Sequence, residues 1–516
     1  MGCPPQSLAS PWKRQPPHER EPQQDRPGKP FGWAKLPAEL RLQILEDLDL
    51  LVNQESCAKR SALACVCSEW QIFFEAFSFR TLQLSSAEDI KSFRRIVRNG
   101  RERYVKSVWL HVSLKKHWDF GLPCIGRPER RWRVKEDNRR FTKLLFGLLD
   151  ILSKWKCASS NHQSAGLQLK LSAGCCGEFM RVAEYNDKYY ARPPPGERFM
   201  RSIEKQGKCS VKASGYRWYR INTEGNRLGF DLKGGRLQIP EVPVIRWFSI
   251  ENDSAKYPDA SATKTILEKF TRLEGVTYAV QTFRSFLGGE SAHVAFFASL
   301  PRGVRTISFS ELQEFSHYAP NITAPSMAVA VSALEASRQA ESFAVSYIVD
   351  AELFFEPYYE ARFSHISEPK PWANLRYLAL TSFAFEKIGS ENTEERANKL
   401  LIAAANAATL MPKLQVMELW NARNQLDTRK LGELIFVFCF EITGDLATIV
   451  VEVNWPFNLS EDASNAWEQL AMRRTQRRPV IKRKSPCYVE VRLNARARVI
   501  KHLKLSKHII QQAPFV

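Results

Sequence analysis

Long apolar runs are missing from this sequence of 516 residues. No uninterrupted apolar stretch reaches the roughly 18 residues that a helix needs to cross a bilayer. The first residues also lack the charged start and apolar core of a secretory signal peptide. We therefore expect a soluble protein of the nucleus, the cytoplasm or both, with no membrane partner.

The sequence also lacks the short motifs that mark common catalytic and metal sites. It has no Gly-rich phosphate loop, no Gly-x-Ser-x-Gly nucleophile elbow and no His-Glu-x-x-His metal helix. None of its eleven cysteines belongs to a Cys-x-x-Cys pair at zinc-site spacing. The prediction is a protein that is not an enzyme and has no catalytic residue, metal site or cofactor.

What is present is an ordinary globular composition, with 44% apolar and 25% charged residues. Such a chain can bury a substantial core. Residues 1–30 differ, because prolines recur there among polar and charged residues with almost no large apolar side chain. We predict that these residues form a disordered leader.

Apolar residues follow at helical spacing over about fifty residues. Pro37 suits the first turn of a helix, where its missing N–H would be unpaired anyway. Three short helices are predicted, with residues 49–60 separating the first two. A unit of this size cannot bury all of its apolar side chains by itself. The apolar residues in question are Leu36, Leu40, Ile44, Leu45, Leu48, Leu63, Val66, Trp70, Phe73, Phe74 and Phe77.

The Leu36-Pro37 start, the apolar spacing and the late Trp70 resemble an F-box. In that family the helices bind the Skp adaptor, which joins the F-box protein to a cullin-RING ubiquitin ligase. The resemblance implies the same partner here, with an F-box over residues 31–84. The residues that would form or support the adaptor surface are Leu36, Pro37, Leu40, Ile44, Leu45, Val66 and Trp70.

Beyond the F-box, helical patterns alternate with short strand patterns, which predicts an α/β fold. The strands share an apolar-x-x-apolar-x-apolar spacing typical of leucine-rich repeats. We predict an irregular leucine-rich-repeat-like solenoid over residues 85–516 as a substrate-recognition domain. The irregular spacing leaves open a fold that is not a true repeat. The candidate strands are Val105/Val108/Leu110, Ile245/Phe248/Ile250, Val304/Ile307/Phe309, Leu375/Leu378/Leu380, Leu414/Met417/Leu419 and Ile500/Leu503/Leu505.

Basic residues give the chain a formal net charge of +20, which favours an acidic partner or a nuclear address. Seven of them occur within residues 473–484 without one acid, in two clusters typical of a bipartite nuclear import signal. Alternatively, the first two complement the negative end of a preceding helix. The seven are Arg473, Arg474, Arg477, Arg478, Lys482, Arg483 and Lys484.

One acidic group, Asp350, Glu352 and Glu356, lies among aromatic residues. It predicts either the solvated edge of a packed helix, which the composition favours, or the lining of a binding face.

These observations favour a substrate-receptor subunit of a Skp-cullin-F-box ubiquitin ligase, which recruits a protein substrate. Two alternatives remain at this point. One is a nuclear protein whose basic surface binds nucleic acid, and the other is an F-box and Skp scaffold without ligase activity.

Overall fold

The computed structural model describes the chain in thirteen segments, and the predicted leader lies outside them. These segments form two compact units, Met1–Ser78 and Phe79–Val516. The division falls before the predicted end of the F-box, because residues 81–84 form the first strand of the larger unit. The described segments are 32–53, 57–114, 128–155, 166–174, 227–231, 239–250, 256–282, 289–313, 326–359, 370–386, 392–427, 430–486 and 495–509.

The smaller unit is helical. A short 3-10 helix, Trp33–Lys35, precedes α1 (Ala38–Asn53), α2 (Cys57–Leu63) and α3 (Ser68–Ser78). Helix α1 therefore continues well into the segment predicted to separate the first two helices. Glu39 lies in its first turn, where a negative charge complements the helix dipole.

One sheet of twelve strands dominates the described part of the larger unit. From β1 to β11 each strand pairs in parallel with the next strand of this sheet along the chain. Strand β12 pairs antiparallel with β11 and with β13, and β14 pairs in parallel with β13. The strands are β1 (Thr81–Leu84), β2 (Ser107–Ser113), β3 (Leu167–Gly174), β5 (Ile245–Ile250), β7 (Gly275–Thr282), β8 (Thr306–Gln313), β9 (Ser342–Asp350), β10 (Tyr377–Thr381), β11 (Val416–Asp427), β12 (Lys430–Thr443), β13 (Leu446–Val453) and β14 (Val480–Lys484); β4 (Arg227–Leu228) and β6 (Tyr257–Pro258) form a separate parallel pair.

Most helices of this unit pack on one face of the sheet. Alternate strand residues, such as Leu110, Phe248 and Leu378, belong to the same buried cluster as helix residues such as Leu145 and Leu401. This layering follows from right-handed crossovers between strands that follow one another in a single direction. The helices are α4 (Ala87–Ile96), α5 (Pro128–Ser153), α6 (Ala260–Leu267), α7 (Gly289–Ala298), α8 (Met327–Ser337), α9 (Ala351–Phe354), α10 (Thr393–Ala408), α11 (Glu461–Thr475), α12 (Ala495–His502) and α13 (Ser506–Ile509).

Five of the six predicted strands lie in this sheet, so the predicted α/β class is confirmed. Leu378 pairs with Met417, and Leu380 pairs with Leu419, in parallel register. The crossover between these strands contains α10, in which Leu400 is fully buried. A strand, helix, strand unit of this kind returns the chain in the same direction, as a parallel pair requires.

The sixth predicted strand is wrong. Ile500 lies in α12, and Leu503 and Leu505 lie in the turn between α12 and α13. The three side chains pack on the opposite face of the sheet, in a second buried cluster. Apolar residues at intervals of two and three can serve a helix and its turn as well as a strand, so the pattern alone could not separate them.

A tight hairpin joins β12 to β13. Gly444 has a φ of 57° in this turn, a left-handed conformation that glycine adopts without steric cost. The hairpin reverses the chain between β12 and β13, whereas the parallel order already ends at the antiparallel pairing of β11 with β12.

Candidate partner interface

Helix α1 exposes an apolar stripe. Leu40 and Ile44 retain 47% and 37% of their exposure, and Leu51 retains 64%. Spacings of four and seven residues place these three side chains on the same side of the helix. Leu45 lies on another side and is only 2% exposed. The predicted apolar face of α1 is therefore divided between the interior of the unit and solvent.

Polar contacts hold α1 and the residues before it against α2 and α3. Asp49 is 8% exposed and accepts a hydrogen bond from Arg60 of α2, with Nε 2.7 Å from Oδ1. Arg41 and Trp33 both donate to Oε2 of Glu69 in α3, over 2.7 and 2.8 Å. These contacts fix the rotation of α1, and with it the direction in which the stripe points.

Aromatic rings connect the start of this unit to α3. The Trp33 and Trp70 rings meet edge to face with centroids 5.4 Å apart, and Trp70 lies 5.9 Å from Phe74. Phe74 is fully buried. Trp70 thus packs against Trp33 in the 3-10 helix before α1, and Trp70 itself is only partly exposed.

The seven residues predicted to bind the adaptor have different degrees of exposure. Pro37 is exposed and Leu36 is half-buried, and Val66 retains 60% of its exposure between α2 and α3. Leu45 can only support such a surface from within. Sequence reasoning missed other exposed apolar side chains in the same unit, on more than one side of α1 and on α3: Leu42, Leu50, Leu51 and Ile72. Phe77 was recognised as apolar but was not assigned to the adaptor surface, and it is exposed as well.

The predicted import signal spans two structural elements. Arg473 and Arg474 lie in the last turn of α11, and the helix ends at Gln476 in a left-handed conformation. Arg474 donates to the backbone oxygens of Met411 and Leu414, over 2.8 and 3.2 Å. Arg474 therefore joins α11 to the turn before β11, and its partners are not the carbonyl groups at the end of its own helix.

The second basic cluster lies in a strand. Lys482, Arg483 and Lys484 belong to β14, which pairs in parallel with β13 and is exposed along its whole length. Lysines on an outer strand discourage pairing with other chains. The same exposure leaves their charges accessible to a receptor.

In the acidic group at residues 350–356, Asp350 is buried, in contrast to the expected solvated edge, whereas Glu352 and Glu356 are half-buried. Asp350 is 5% exposed and accepts hydrogen bonds from Ser382 Oγ at 2.6 Å and from the backbone N–H of Phe383 at 3.2 Å. Burial raises the pKa of Asp350 to about 6. Glu352 pairs with Arg396 through Oε2 and Nη2, 2.5 Å apart. Asp350 therefore holds the ends of β9 and β10 together, and Glu352 joins α9 to α10.

No helix in the described part of the chain has the length and apolar character needed to span a membrane. The described residues also contain no cluster of three or more metal-binding side chains.

Residues 299–511 match a family of unknown function, DUF6546. The match begins just before β8 and ends just after α13. It therefore covers the second half of the sheet and the last two helices, and it leaves out the helical unit. No curated protein matches the chain.

Proposed function

We propose that this protein is the substrate-receptor subunit of a Skp-cullin-F-box ubiquitin ligase. Residues 32–78 act as the F-box and bind a Skp-type adaptor, and the α/β unit presents a protein substrate. The chain itself carries out no chemistry in this scheme, because ubiquitin transfer belongs to other subunits of the ligase.

The observation that carries this proposal is the concentration of exposed apolar surface on the helical unit. Of the sixteen large apolar side chains exposed in the described residues, eight lie between Leu40 and Phe77. Full burial of one Leu or Ile side chain is worth about 1.5–3 kcal/mol. A partner that covers several of them gains enough free energy for stable binding, even after the cost of association.

The order of strands supports a leucine-rich-repeat-like solenoid for the larger unit. Each strand from β1 to β11 pairs with the next along the chain, which is the order that stacked repeats produce. Several crossovers contribute one helix each to a single helical layer. The hairpin of β12 and β13 then closes the array with a different geometry.

The exposed basic strand β14 favours a second candidate, a nuclear protein that binds nucleic acid through its positive charge. Phosphate contacts lose orders of magnitude in affinity over a modest increase in salt, whereas an apolar interface loses little. A third candidate keeps the adaptor and omits the cullin. Pull-down of a cullin together with the adaptor separates this scaffold from a ligase.

The test is co-purification of a Skp-type adaptor with a Leu40→Ala/Ile44→Ala variant of the full chain. Both side chains are partly exposed, so the fold should persist, while truncation of two central anchors costs about 2 kcal/mol or more, roughly thirtyfold in affinity. The matched control is Val331→Ala/Leu446→Ala, in which the truncated side chains are 49% and 44% exposed on the α/β unit. Undiminished adaptor on the first variant, with an unchanged circular dichroism spectrum, contradicts the proposal.

A further inference from the structure

The face of the sheet away from the main helical layer carries small and polar residues along β8–β12. One row across these strands contains Ser308, Ala344, Ala379, Glu418 and Cys439, as the pairing register shows. Small side chains leave room above them. On β10–β12 the neighbouring rows of this face carry larger apolar residues, among them Tyr377, Val416, Trp420 and Val437.

Helices α12 and α13, residues 495–509, cover this face and are called here the C-terminal helix pair. Helix α12 packs on β11 and β12, and α13 packs on β8 and β9. Their apolar residues join side chains of the sheet in a buried cluster that is separate from the main core. From the helix pair the cluster takes Val499, Ile500, Leu503, Leu505 and Ile509, and from the sheet it includes Trp420, Ala422, Ile435 and Val437.

Glu418 holds the turn between the two helices. Its Oε1 accepts the backbone N–H of Lys504 and its Oε2 accepts that of Leu505, both over 2.8 Å. Glu418 is only 1% exposed. A carboxylate that accepts two consecutive backbone N–H groups recognises the shape of a helix end, whatever side chains the bound segment carries.

Further polar contacts follow the pair toward its end. Ser308 donates to the backbone oxygen of Ile509 over 2.9 Å, and Ser342 Oγ lies 2.8 Å from Nδ1 of His508. The ring of Tyr377 lies over His508 with centroids 4.5 Å apart. Strands β8 to β11 thus all present groups that recognise this segment.

Charge complements these contacts. Residues 495–509 contain five lysines and arginines and no acid. On the sheet, Glu441 forms an ion pair with Lys504. A basic segment with buried apolar residues, set against a face that carries an acidic group, has the features of a helix-in-groove complex.

We propose that the face of β8–β12 is a docking surface for a basic, amphipathic helical segment of a partner protein, and that the C-terminal helix pair occupies it in cis as a mimic. The partner must displace the C-terminal helix pair, so the tethered pair lowers the partner's apparent affinity. In the receptor proposed above this partner is the substrate. Only that consequence rests on the proposed function; the binding does not.

The test is binding of a labelled peptide with the sequence of residues 495–509 to the full chain. The peptide competes with a tethered copy, so binding to the unaltered protein should be weak. In a Leu503→Asp variant the tethered copy is weakened while the sheet face is unchanged. We expect the apparent affinity to rise about a hundredfold, and we expect a Leu503→Asp/Glu418→Arg variant to lose it.

A second experiment is used if the Leu503→Asp substitution damages the fold. A protease site is inserted between Pro486 and Ala495, and the folded protein is cut. The expected result is exchange of the cut segment with labelled peptide while the circular dichroism spectrum stays native. Failure of the peptide to bind folded Leu503→Asp protein, or unfolding of the cut chain, overturns the proposal, because the pair is then an integral part of the core. No adaptor is present in either assay, so the outcome is independent of the Skp pull-down.

Discussion

The helical unit exposes several of its large apolar residues, whereas the α/β unit buries most of its own. In residues 32–78 the core holds Leu45 and Phe74, while Leu40, Ile44 and Leu51 remain exposed on α1. In residues 79–516 almost every strand contributes to one continuous buried cluster. A large layered unit can bury its apolar side chains, whereas a unit of three short helices has too little interior. We infer that the exposed stripe of the smaller unit serves a partner.

The largest expected difference between the two units is the loss of unfolding free energy when one leucine in each is truncated. Leu378 of β10 is fully buried between parallel strands, so Leu378→Ala should lower the free energy of unfolding by about 2–5 kcal/mol. Leu40→Ala in the exposed stripe should change it by less than about 0.5 kcal/mol. Chemical denaturation followed by tryptophan fluorescence measures both. Similar losses in the two variants would show that α1 is not exposed in solution.

The docking of the C-terminal helix pair should depend on pH through two buried groups with opposite effects. Burial raises the pKa of Glu418 from 4.5 to about 7, and burial lowers the pKa of His508 from 6.5. The Glu418 contribution is fully present below pH 4.5 and is lost as the pH rises through 7. The His508 contribution is present above pH 6.5 and is lost as the pH falls. Lys504, Cys439 and Glu441 are the other titratable groups that act on Glu418 or surround it.

Because the two groups oppose each other, variants should reveal opposite slopes. In His508→Gln the exchange of labelled peptide on the cut protein should become easier as the pH rises from 5 to 7, by up to tenfold per pH unit. In Glu418→Gln it should become easier as the pH falls below 6.5. If peptide exchange had the same pH dependence in both variants, Glu418 would not hold the turn.

The basic residues of β14 should affect location without affecting stability. Lys482, Arg483 and Lys484 are exposed, so their replacement by Ala should leave the unfolding transition unchanged. If residues 473–484 act as an import signal, a fluorescent fusion of this variant should shift toward the cytoplasm. An unchanged distribution favours the helix-end interpretation of the same charges.

Periodicity predicted much of the fold because it reports burial. Leucine spacing predicted one strand at Leu378 and another at Met417, and both are present as the parallel pair β10 and β11. Strand β7 was missed, although Leu273, Val276 and Tyr278 have that spacing. It begins at Gly275, where the Trp247 ring lies so close that a Cβ would be 2.2 Å from it, and no local pattern reveals such a contact.

The candidate surfaces were only partly predictable for a related reason. Helical spacing showed that Leu40, Ile44 and Leu45 belong near one another, but which of them faces solvent depends on Asp49, Glu69 and their distant partners. No sequence pattern identified Glu418 as part of a binding surface, because a single charged residue in a strand usually points to water. Its partners are the N–H groups of residues 504 and 505, far along the chain.

Hydrogen exchange of the full chain with and without a Skp-type adaptor tests the central claim most directly. The account predicts that the adaptor slows exchange in α1 and in the residues around Val66, at least tenfold, and leaves the strands of the larger unit unchanged. An adaptor that protects only residues 79–516, or that protects no part of the chain, contradicts the assignment of residues 32–78 as the adaptor-binding unit.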